Sequence, residues 1–348
     1  MALVAASADR VAVGPAADPL RPEAFLPAMF SPTPLRDILL VAGFELREML
    51  RSRRAYSVIA LYLLVAALGT LAFVEFIAQA DAVVKNPASF MTGGRPGQGR
   101  GGTLTPPPAI ASAPSQAVLF SRNSPFRGLL SSMLTEKDTL AFVLSEPPIA
   151  LFYTWISFMT LPFLIMITSS ETIAQEHQTR GVRFIAMRTG RAEFVLGKAL
   201  GQGFLMGLVT LLSGGMCLAI AAWKLSDFEW GPGVGAVLLF WPRIAAYGAP
   251  FLGLAALCSM NSSSSLTARA FSLLGLGGMW MVHTTASVYN GVDVPPILNL
   301  LDLGVPNSHQ NALWRPDFTS IGSTMAVLAT LTVLYLAIGL CFYRRRDL

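Results

Sequence analysis

The chain has few charged residues: Lys, Arg, Asp and Glu make up 13% of its 348 residues, while 53% are hydrophobic. Soluble domains average about 25% charged residues, so this composition excludes an ordinary soluble enzyme, a disordered chain and a nucleic-acid-binding protein of the usual kind. Cysteine is also scarce. Cys217, Cys258 and Cys341 each lie in an apolar run without metal-ligand spacing, and we interpret them as buried hydrophobic residues.

Catalytic motifs are absent from the sequence as well. HExxH, GxSxG and CxxC do not occur, and the three histidines are far apart in the chain. The segment from Gly190 to Lys198 superficially resembles a phosphate-binding loop, but its glycines are too far apart and Ala199 stands where Ser or Thr must reach magnesium. We therefore expect this chain to bind no metal or cofactor and to hydrolyse no ATP by itself.

Carboxylates are missing from the middle of the apolar runs. Ion-coupled transporters and proton pumps place Asp or Glu inside the helix bundle, whereas among 20 acidic residues only Glu75 falls inside a predicted span, near its outer end. This argues against a secondary transporter. An intramembrane enzyme would need a nucleophile or metal cluster at depth, and the sequence offers neither.

What the sequence does contain is a set of long apolar runs. A helix needs about 20 apolar residues to cross the hydrocarbon core of a bilayer, and six runs meet this requirement. The predicted fold class is therefore an all-α integral membrane protein. Its six predicted spans are Ala55–Ile77, Ile149–Ser169, Ala199–Trp223, Val234–Met260, Leu266–Val288 and Ile321–Tyr343.

Basic residues are concentrated at one end of these spans. They precede span one, fill the connection between spans two and three and follow span six, whereas the short loops at the other end carry only Lys224 and Arg315. The positive-inside rule then places both termini in the cytoplasm. The long loop 78–148 would lie outside, because long loops translocate largely regardless of charge. We expect a multi-pass protein of a bacterial inner (cytoplasmic) membrane.

The segments before span one differ in character. Residues 1–34, rich in Ala and Pro and without the pattern of a secretory signal, predict a disordered cytoplasmic tail. Residues 35–54 combine an apolar stripe at helical spacing with arginines on another face. This pattern predicts an amphipathic interfacial helix with its cations facing anionic lipid, or alternatively a plain extension of span one. The transmembrane domain would cover 55–348, with the outer loop 78–148 inserted.

Residues 289–320, before the last span, consist of short apolar pieces interrupted by proline and glycine. Pro295 and Pro296 precede the run ILNLLDLGV, and Pro306 and Trp314 follow it. The pattern predicts either a re-entrant or interfacial hairpin at the outer surface, or an ordinary surface loop with an apolar turn. Irregular backbone at membrane depth is tolerated only where it is buried in protein or hydrated.

Arg243 lies inside the fourth predicted span, close to Trp241 and Tyr247. An arginine at a span centre costs about 2.5–3.5 kcal/mol on insertion scales, and such a residue is by default a functional hypothesis. We predict these three residues as candidates for lining a pathway. The alternative for Arg243 is a side chain that extends to the outer surface.

Two glycine pairs, Gly197/Gly201 and Gly203/Gly207, have GxxxG spacing at the start of span three. Such spacing lets two helices approach closely. We interpret it as helix packing within the chain, with dimerisation as the alternative.

The connection between spans two and three is the most informative stretch. It contains mixed charges and a short helical pattern, so it would be able to transmit a push from a cytoplasmic partner; a solvated loop is the alternative. Its charged residues include Glu171, Glu176, Arg180, Arg183 and Arg191.

This stretch resembles the membrane subunit of ABC-2 type transporters. That family typically shows an acidic, glycine-containing run after span two, then a basic residue, then a hydrophobic-Gly-Lys start of span three. The matching residues here are Glu171, Glu176, Gly181, Arg191, Gly197 and Lys198. Val182 departs from the pattern, because Thr is common at that position. The order of the other elements over residues 35–346 resembles the family as well.

The resemblance implies a permease subunit of an ATP-driven ABC exporter with an amphipathic or lipid-like cargo. Two such subunits, identical or related, would form the pathway, and separate ATPase subunits, which hold the ATP and Mg, would bind the loop 171–193. The residues expected to couple the chain to the ATPase are Glu171, Glu176, Arg180, Gly181, Arg183, Arg191 and Lys198. The expected partners are thus the ATPase, a second permease subunit and membrane lipid, without nucleic acid. The alternative is a permease-like component of a membrane machine, with a mechanical or regulatory role and no bulk transport.

Overall fold

We analysed a computed structural model of the protein, which describes residues 34–85, 115–120, 124, 127–128, 130–131, 136–178, 190–289 and 295–345. Of the predicted tail 1–34, only the last residue is among the described residues. Most of the outer loop between residues 86 and 135 also lies outside them. The described residues form helices and connecting turns, without strands.

The helices follow the predicted apolar runs closely and extend most of them by several residues. In chain order they are α1 (Pro34–Arg51), α2 (Arg53–Lys85), α3 (Lys137–Ser145), α4 (Pro148–Ser169), α5 (Thr172–Gln178), α6 (Arg191–Lys224), α7 (Trp230–Asn261), α8 (Ser265–Tyr289), α9 (Pro296–Leu303) and α10 (Phe318–Arg344). Short 3-10 turns occupy Gln116–Phe120, Pro306–His309 and Asn311–Trp314.

Five helices, α2, α4, α6, α7 and α10, are long and apolar enough to cross a membrane. The chain is therefore a multi-pass membrane protein, and five of the six predicted spans are confirmed by length and composition. The remaining prediction, Leu266–Val288, coincides with α8, which is long enough but is not one of these five helices. Its serine, threonine and glycine residues and His283 lower its hydropathy, so its place as a span stays a prediction.

The centre of the bundle is α7, which packs against α4, α6, α8 and α10. Its buried face carries large side chains, including Phe240, Tyr247 and Phe251. The contact with α10 is close because of Gly253: a Cβ atom there would lie 2.9 Å from the Thr332 carbonyl oxygen. This tight packing fixes the positions of the polar side chains that α7 carries near its middle and in its last turn.

The amphipathic segment predicted over 35–54 forms α1 up to Arg51, and this helix packs along the first half of α6. The predicted role of Gly197 and Gly201 in packing is confirmed, and their partner is α1. A Cβ atom on Gly201 would lie 2.9 Å from the Ala42 carbonyl oxygen. The other face of α1 exposes apolar side chains such as Leu35 (70%) and Phe44 (68%). Its position at a membrane interface stays a prediction.

Candidate functional site

The candidate site is a charged junction where α5 meets the start of α6. The helix α5 follows α4 after a turn of two residues. Its first turn is held by α7, because the backbone N–H groups of Ile173 and Ala174 donate to the buried Ser259 hydroxyl at 3.1 and 2.9 Å. Ser259 thus satisfies two of the N–H groups that a helix start leaves without a partner. The end of α7 and the start of α5 are tied together.

Lys198 is the centre of the junction. Its Nζ atom donates to Glu45 Oε2 at 2.8 Å and to Glu176 Oε1 at 3.3 Å, and the side chains of Lys198 and Glu45 are only 7% and 5% exposed. A buried lysine and glutamate stay charged only when they are paired. Removing one partner of such a pair typically costs about 3–5 kcal/mol. Separating these charges while they stay buried would therefore be costly, and Lys198 with its two carboxylate partners links α1, α5 and α6.

Gln202, one turn after Lys198, extends this network to α4. Its Nε2 atom donates to Glu45 Oε1 at 3.1 Å, and its Oε1 atom accepts from the Ser169 hydroxyl at 3.0 Å. All three side chains are buried. The network therefore joins four helices through side chains that are far apart in the sequence.

Two further contacts connect the junction to the remaining helices. Glu171, in the turn before α5, forms an ion pair with Arg269 of α8. Arg191, at the start of α6, donates to the Arg344 carbonyl oxygen at 3.3 Å, and its guanidinium lies 5.9 Å from the centre of the Tyr343 ring. The junction thereby contacts the ends of α8 and α10, so the start of α6 is linked to most of the bundle.

A cleft of about 1020 Å³ borders the junction. Charged and polar residues from α2, α4, α5, α6 and α8 line it together with Glu48 of α1. Partial burial raises the pKa of the Glu48 carboxyl; Lys198 opposes the rise, and Glu45 and Glu176 add to it. Within the described ranges, no group of three His, Cys, Asp or Glu side chains is placed to hold a metal ion. The arrangement is suited to transmitting a displacement between helices.

Four of the residues predicted to couple the chain to a partner belong to this junction: Glu171, Glu176, Arg191 and Lys198. Arg180, Gly181 and Arg183 lie outside the described residues. A role for any of them in coupling stays a prediction.

The three candidate pathway residues lie near the middle of α7. Arg243 is 3% exposed and donates to the carbonyl oxygens of Leu313 and Arg315 at 2.9 and 3.2 Å. The Tyr247 hydroxyl lies 3.3 Å from Asn307 Oδ1. Trp241 Nε1 donates to the Gly207 carbonyl oxygen at 2.8 Å, so α7 packs against α6 beside the second glycine pair. The use of these residues in a pathway stays a prediction.

Sequence reasoning missed several residues of the junction. Glu45 had a usable signal, because it follows Ile38 and Ala42 and precedes Met49 at helical spacing, so a carboxylate stands within an otherwise apolar face of α1. Gln202 follows Lys198 by one turn and shares its face. Ser259 and Arg269 had no local signal, since only the tertiary structure brings them to α5 and Glu171.

Comparison with known proteins agrees with this architecture. A family described as ABC-2 family transporter protein matches residues 39–348, from within α1 to the last residue. No curated protein matches the chain significantly. The matched range includes every residue of the junction and all five helices that are long and apolar enough to span a membrane. The chain therefore belongs to the ABC-2 family of transporter proteins, as a membrane-spanning permease component.

Proposed function

We propose that the chain is the permease subunit of an ATP-driven exporter, coupled to separate ATPase subunits through the loop 171–193. The observation that carries this proposal is the buried pairing of Lys198 with Glu45 and Glu176. The helix α5 begins the loop and α6 ends it, so both ends of the proposed docking segment are anchored in the same charged network.

The strength of this network determines how a displacement would pass through it. Conformational coupling between two sites is typically worth about 1–3 kcal/mol, whereas breaking a buried charged pair by losing one partner costs about 3–5 kcal/mol. A push on the loop of the usual magnitude is therefore too small to separate Lys198 from Glu45. Under the proposal, α1, α5 and α6 move together, and the spans shift as rigid bodies between two states.

A second permease subunit would complete the pathway, and the surface of α8 supports this part of the proposal. Its exposed residues include Gly277, Gly278, Thr284 and Thr285 as well as large apolar side chains. Small and hydroxyl-bearing residues on a membrane helix are typical of contacts with another helix. We therefore propose that α8 faces the partner subunit, which is either a second copy or a related chain.

The orientation and the lipid contact follow from α1. Arg36, Arg47 and Arg51 are exposed on this helix beside the exposed Leu35 and Phe44. Such a face suits an interface of anionic headgroups and acyl chains. We propose that α1 lies at the cytoplasmic surface of the inner membrane, on the same side as the loop 171–193 and both termini.

Affinity purification in mild detergent tests the docking assignment. The tagged chain is compared with the double variant Glu176→Ala/Arg183→Ala and with Lys224→Ala, a control at the opposite end of α6. We expect an ATPase subunit to co-purify with the unmodified chain and with the control. The amount recovered with the double variant should be at least about tenfold lower, which corresponds to a loss of about 1.4 kcal/mol of binding free energy.

Two results would contradict the proposal. One is a clean preparation without any nucleotide-binding subunit, and the other is equal recovery of the ATPase with the double variant. A complex that hydrolyses ATP but moves no cargo in vesicles would instead favour the mechanical or regulatory role. Unchanged size-exclusion behaviour of the double variant would establish that it still folds.

A further inference from the structure

The cleft that borders the junction has the volume of a small-molecule binding site. Its volume of about 1020 Å³ is close to the upper end of the range of about 300–1,000 Å³ that is usual for ligand pockets. Its walls include the first residues of α2 and the last turn of α4, two of the helices that are long and apolar enough to cross a membrane. A cleft at the ends of such helices lies at the depth of lipid headgroups and not in the hydrocarbon core.

Two of the charged side chains that line the cleft lack a partner of opposite charge. The other five form ion pairs among themselves: Glu45, Glu171, Glu176, Lys198 and Arg269. The remaining two are Glu48, near the end of α1, and Arg53, at the start of α2. Neither side chain forms an ion pair or hydrogen bond within the described part of the chain. Glu48 is attracted by Lys198, but that lysine already pairs with two carboxylates, which repel Glu48. The cleft therefore presents one carboxylate and one guanidinium to a ligand.

Arg269 adds hydrogen-bond donors to the same cleft. Its Nη2 atom donates to Glu171, whereas its buried Nε atom has no acceptor among the described residues. A buried donor without an acceptor is rare in native proteins, and an ion or a water molecule is a usual explanation. Guanidinium groups bind phosphate through two hydrogen bonds at once. Arg53 and Arg269 together therefore suit a phosphate group that enters the cleft.

An apolar stripe on α4 leads from the membrane into the cleft. The helices α2 and α8 both pack against α4, but within the described ranges they make few contacts with each other. Between its neighbours, α4 exposes large apolar side chains at successive turns: Trp155, Met159, Phe163 and Ile167. The last of these also lines the cleft. Acyl chains that cover this stripe would bury apolar surface and place their headgroup in the cleft, so the fitting ligand is amphipathic.

The two available charges indicate which headgroup fits. A zwitterion with a phosphate and a primary ammonium group matches Arg53 and Glu48 with no net charge left over. An anionic headgroup such as phosphoglycerol would leave Glu48 unpaired. A quaternary ammonium such as choline has no N–H to donate and is typically bound by aromatic rings, whereas no aromatic side chain is among the described residues that line the cleft.

We propose that the cleft binds a membrane phospholipid with a primary amine in its headgroup, in which Glu48 holds the ammonium group and Arg53 and Arg269 hold the phosphate. This inference goes beyond the proposed function and does not depend on an ATPase, because it requires only a membrane-spanning chain. The bound lipid would connect α1, α2 and α8 beside the junction, and its acyl chains would cover the exposed stripe of α4.

Native mass spectrometry of the purified chain tests this assignment. Dioleoyl phosphatidylethanolamine, dioleoyl phosphatidylcholine and dioleoyl phosphatidylglycerol share their acyl chains and differ only in headgroup, and each is titrated in turn. Soluble phosphoethanolamine supplies the headgroup without acyl chains. The variants are Glu48→Gln and Arg53→Gln. The matched controls are Asp37→Asn and Arg47→Gln, which change residues of α1 that do not line the cleft.

We expect the ethanolamine lipid to bind the unmodified chain at least about tenfold more tightly than the other two lipids. Glu48→Gln should remove the preference for the ethanolamine lipid over the glycerol lipid. This variant should still bind the glycerol lipid, which also establishes that it folds. Arg53→Gln should weaken the binding of all three lipids, since each carries a phosphate, and the two controls should leave every affinity unchanged.

Three results would overturn the proposal. The first is equal affinity of the unmodified chain for the three lipids, and the second is an unchanged preference in Glu48→Gln. The third is soluble phosphoethanolamine that binds as tightly as the lipid, because the acyl chains would then contribute nothing and the ligand would not be a membrane lipid. None of these results depends on whether an ATPase binds the loop 171–193, so the proposed function is tested separately.

Discussion

The buried charges of the junction lead to an asymmetric prediction for their removal. Lys198 has two carboxylate partners, whereas the described contacts of Glu45 are with Lys198 and the neutral Gln202. Replacing Lys198 with Met therefore leaves a buried carboxylate without a cation. Replacing Glu45 with Met leaves Lys198 paired with Glu176 at 3.3 Å. The two single substitutions thus remove the same ion pair but leave different groups behind.

The magnitudes follow from what remains buried. Lys198→Met should destabilise the chain by about 3–5 kcal/mol, the usual cost of leaving one buried charge uncompensated. Glu45→Met should cost about 1.5–3 kcal/mol, the value of a hydrogen bond to a charged group. The double substitution removes both buried charges and replaces them with apolar side chains of similar length. The remaining cost is that of the buried Gln202 amide, which loses its acceptor in both variants that lack Glu45, so the double variant should be less destabilised than Glu45→Met.

Thermal inactivation of the purified chain in detergent provides the assay. We expect the inactivation temperature to fall furthest for Lys198→Met, less for Glu45→Met, and least for the double variant. Lys224→Met, at the exposed opposite end of α6, should have no effect. Losses that simply add in the double variant would refute the reasoning, because they would mean that Lys198 and Glu45 do not interact in the folded protein.

Three further predictions concern packing, the outer loop and the start of α5. Gly201→Ala should destabilise the chain by about 1–3 kcal/mol, because the added Cβ atom would collide with a carbonyl oxygen of α1. Gly215→Ala is the control: it has open space around it and should be neutral or slightly stabilising. The inactivation temperatures of the two variants test this prediction. Burial would raise the pKa of Asp227, but hydrogen bonds from residues 115–117 hold it below its usual value. A lowered carboxyl pKa stabilises the fold at every pH above the unfolded value of about 3.9, and this stabilisation is lost only as pH falls through the folded value. In the unmodified chain, the rate of proteolysis of the outer loop should therefore not change between about pH 5 and 8. The rate should be higher in Asp227→Ala. Faster proteolysis of the unmodified chain at pH 5 than at pH 8 would contradict the prediction. Ser259→Ala should lower the stability of the fold by about 1–2 kcal/mol, because two N–H groups of α5 lose their acceptor. The variant should still insert into the membrane, but its ATP-driven transport in vesicles should be lower.

The apolar runs predicted the helices well, because a span of about 20 apolar residues is a local property of the sequence. The prediction was weakest where composition is mixed. The helix α8 forms as expected, yet its glycine, serine and threonine residues keep it apart from the five more apolar helices. Two readings were possible for residues 289–320, and the structure shows a short helix followed by turns whose Val305 and Leu313 are buried in protein.

The candidate site was predictable in part. Glu176 and Lys198 stand out because they flank one loop in a family-like pattern. The pairing of Lys198 with Glu45 was not predictable, because the two residues are separated by 153 positions. Only the packing of α1 on the glycines of α6 brings them together. The same holds for Arg243: the sequence shows a charge inside a span, but its carbonyl partners lie in a distant turn of irregular backbone.

Site-specific cross-linking tests the central claim most directly, namely that a separate ATPase binds the loop between α5 and α6. A photoreactive amino acid replaces Ala186 within the loop, or Lys224 at the opposite end of α6 as the control, and the chain is irradiated in its native membrane. The account predicts a cross-linked species that contains a nucleotide-binding subunit for position 186 and none for position 224. Cross-links from position 186 to lipid or to other copies of this chain alone, in cells where the substituted chain remains functional, would contradict it.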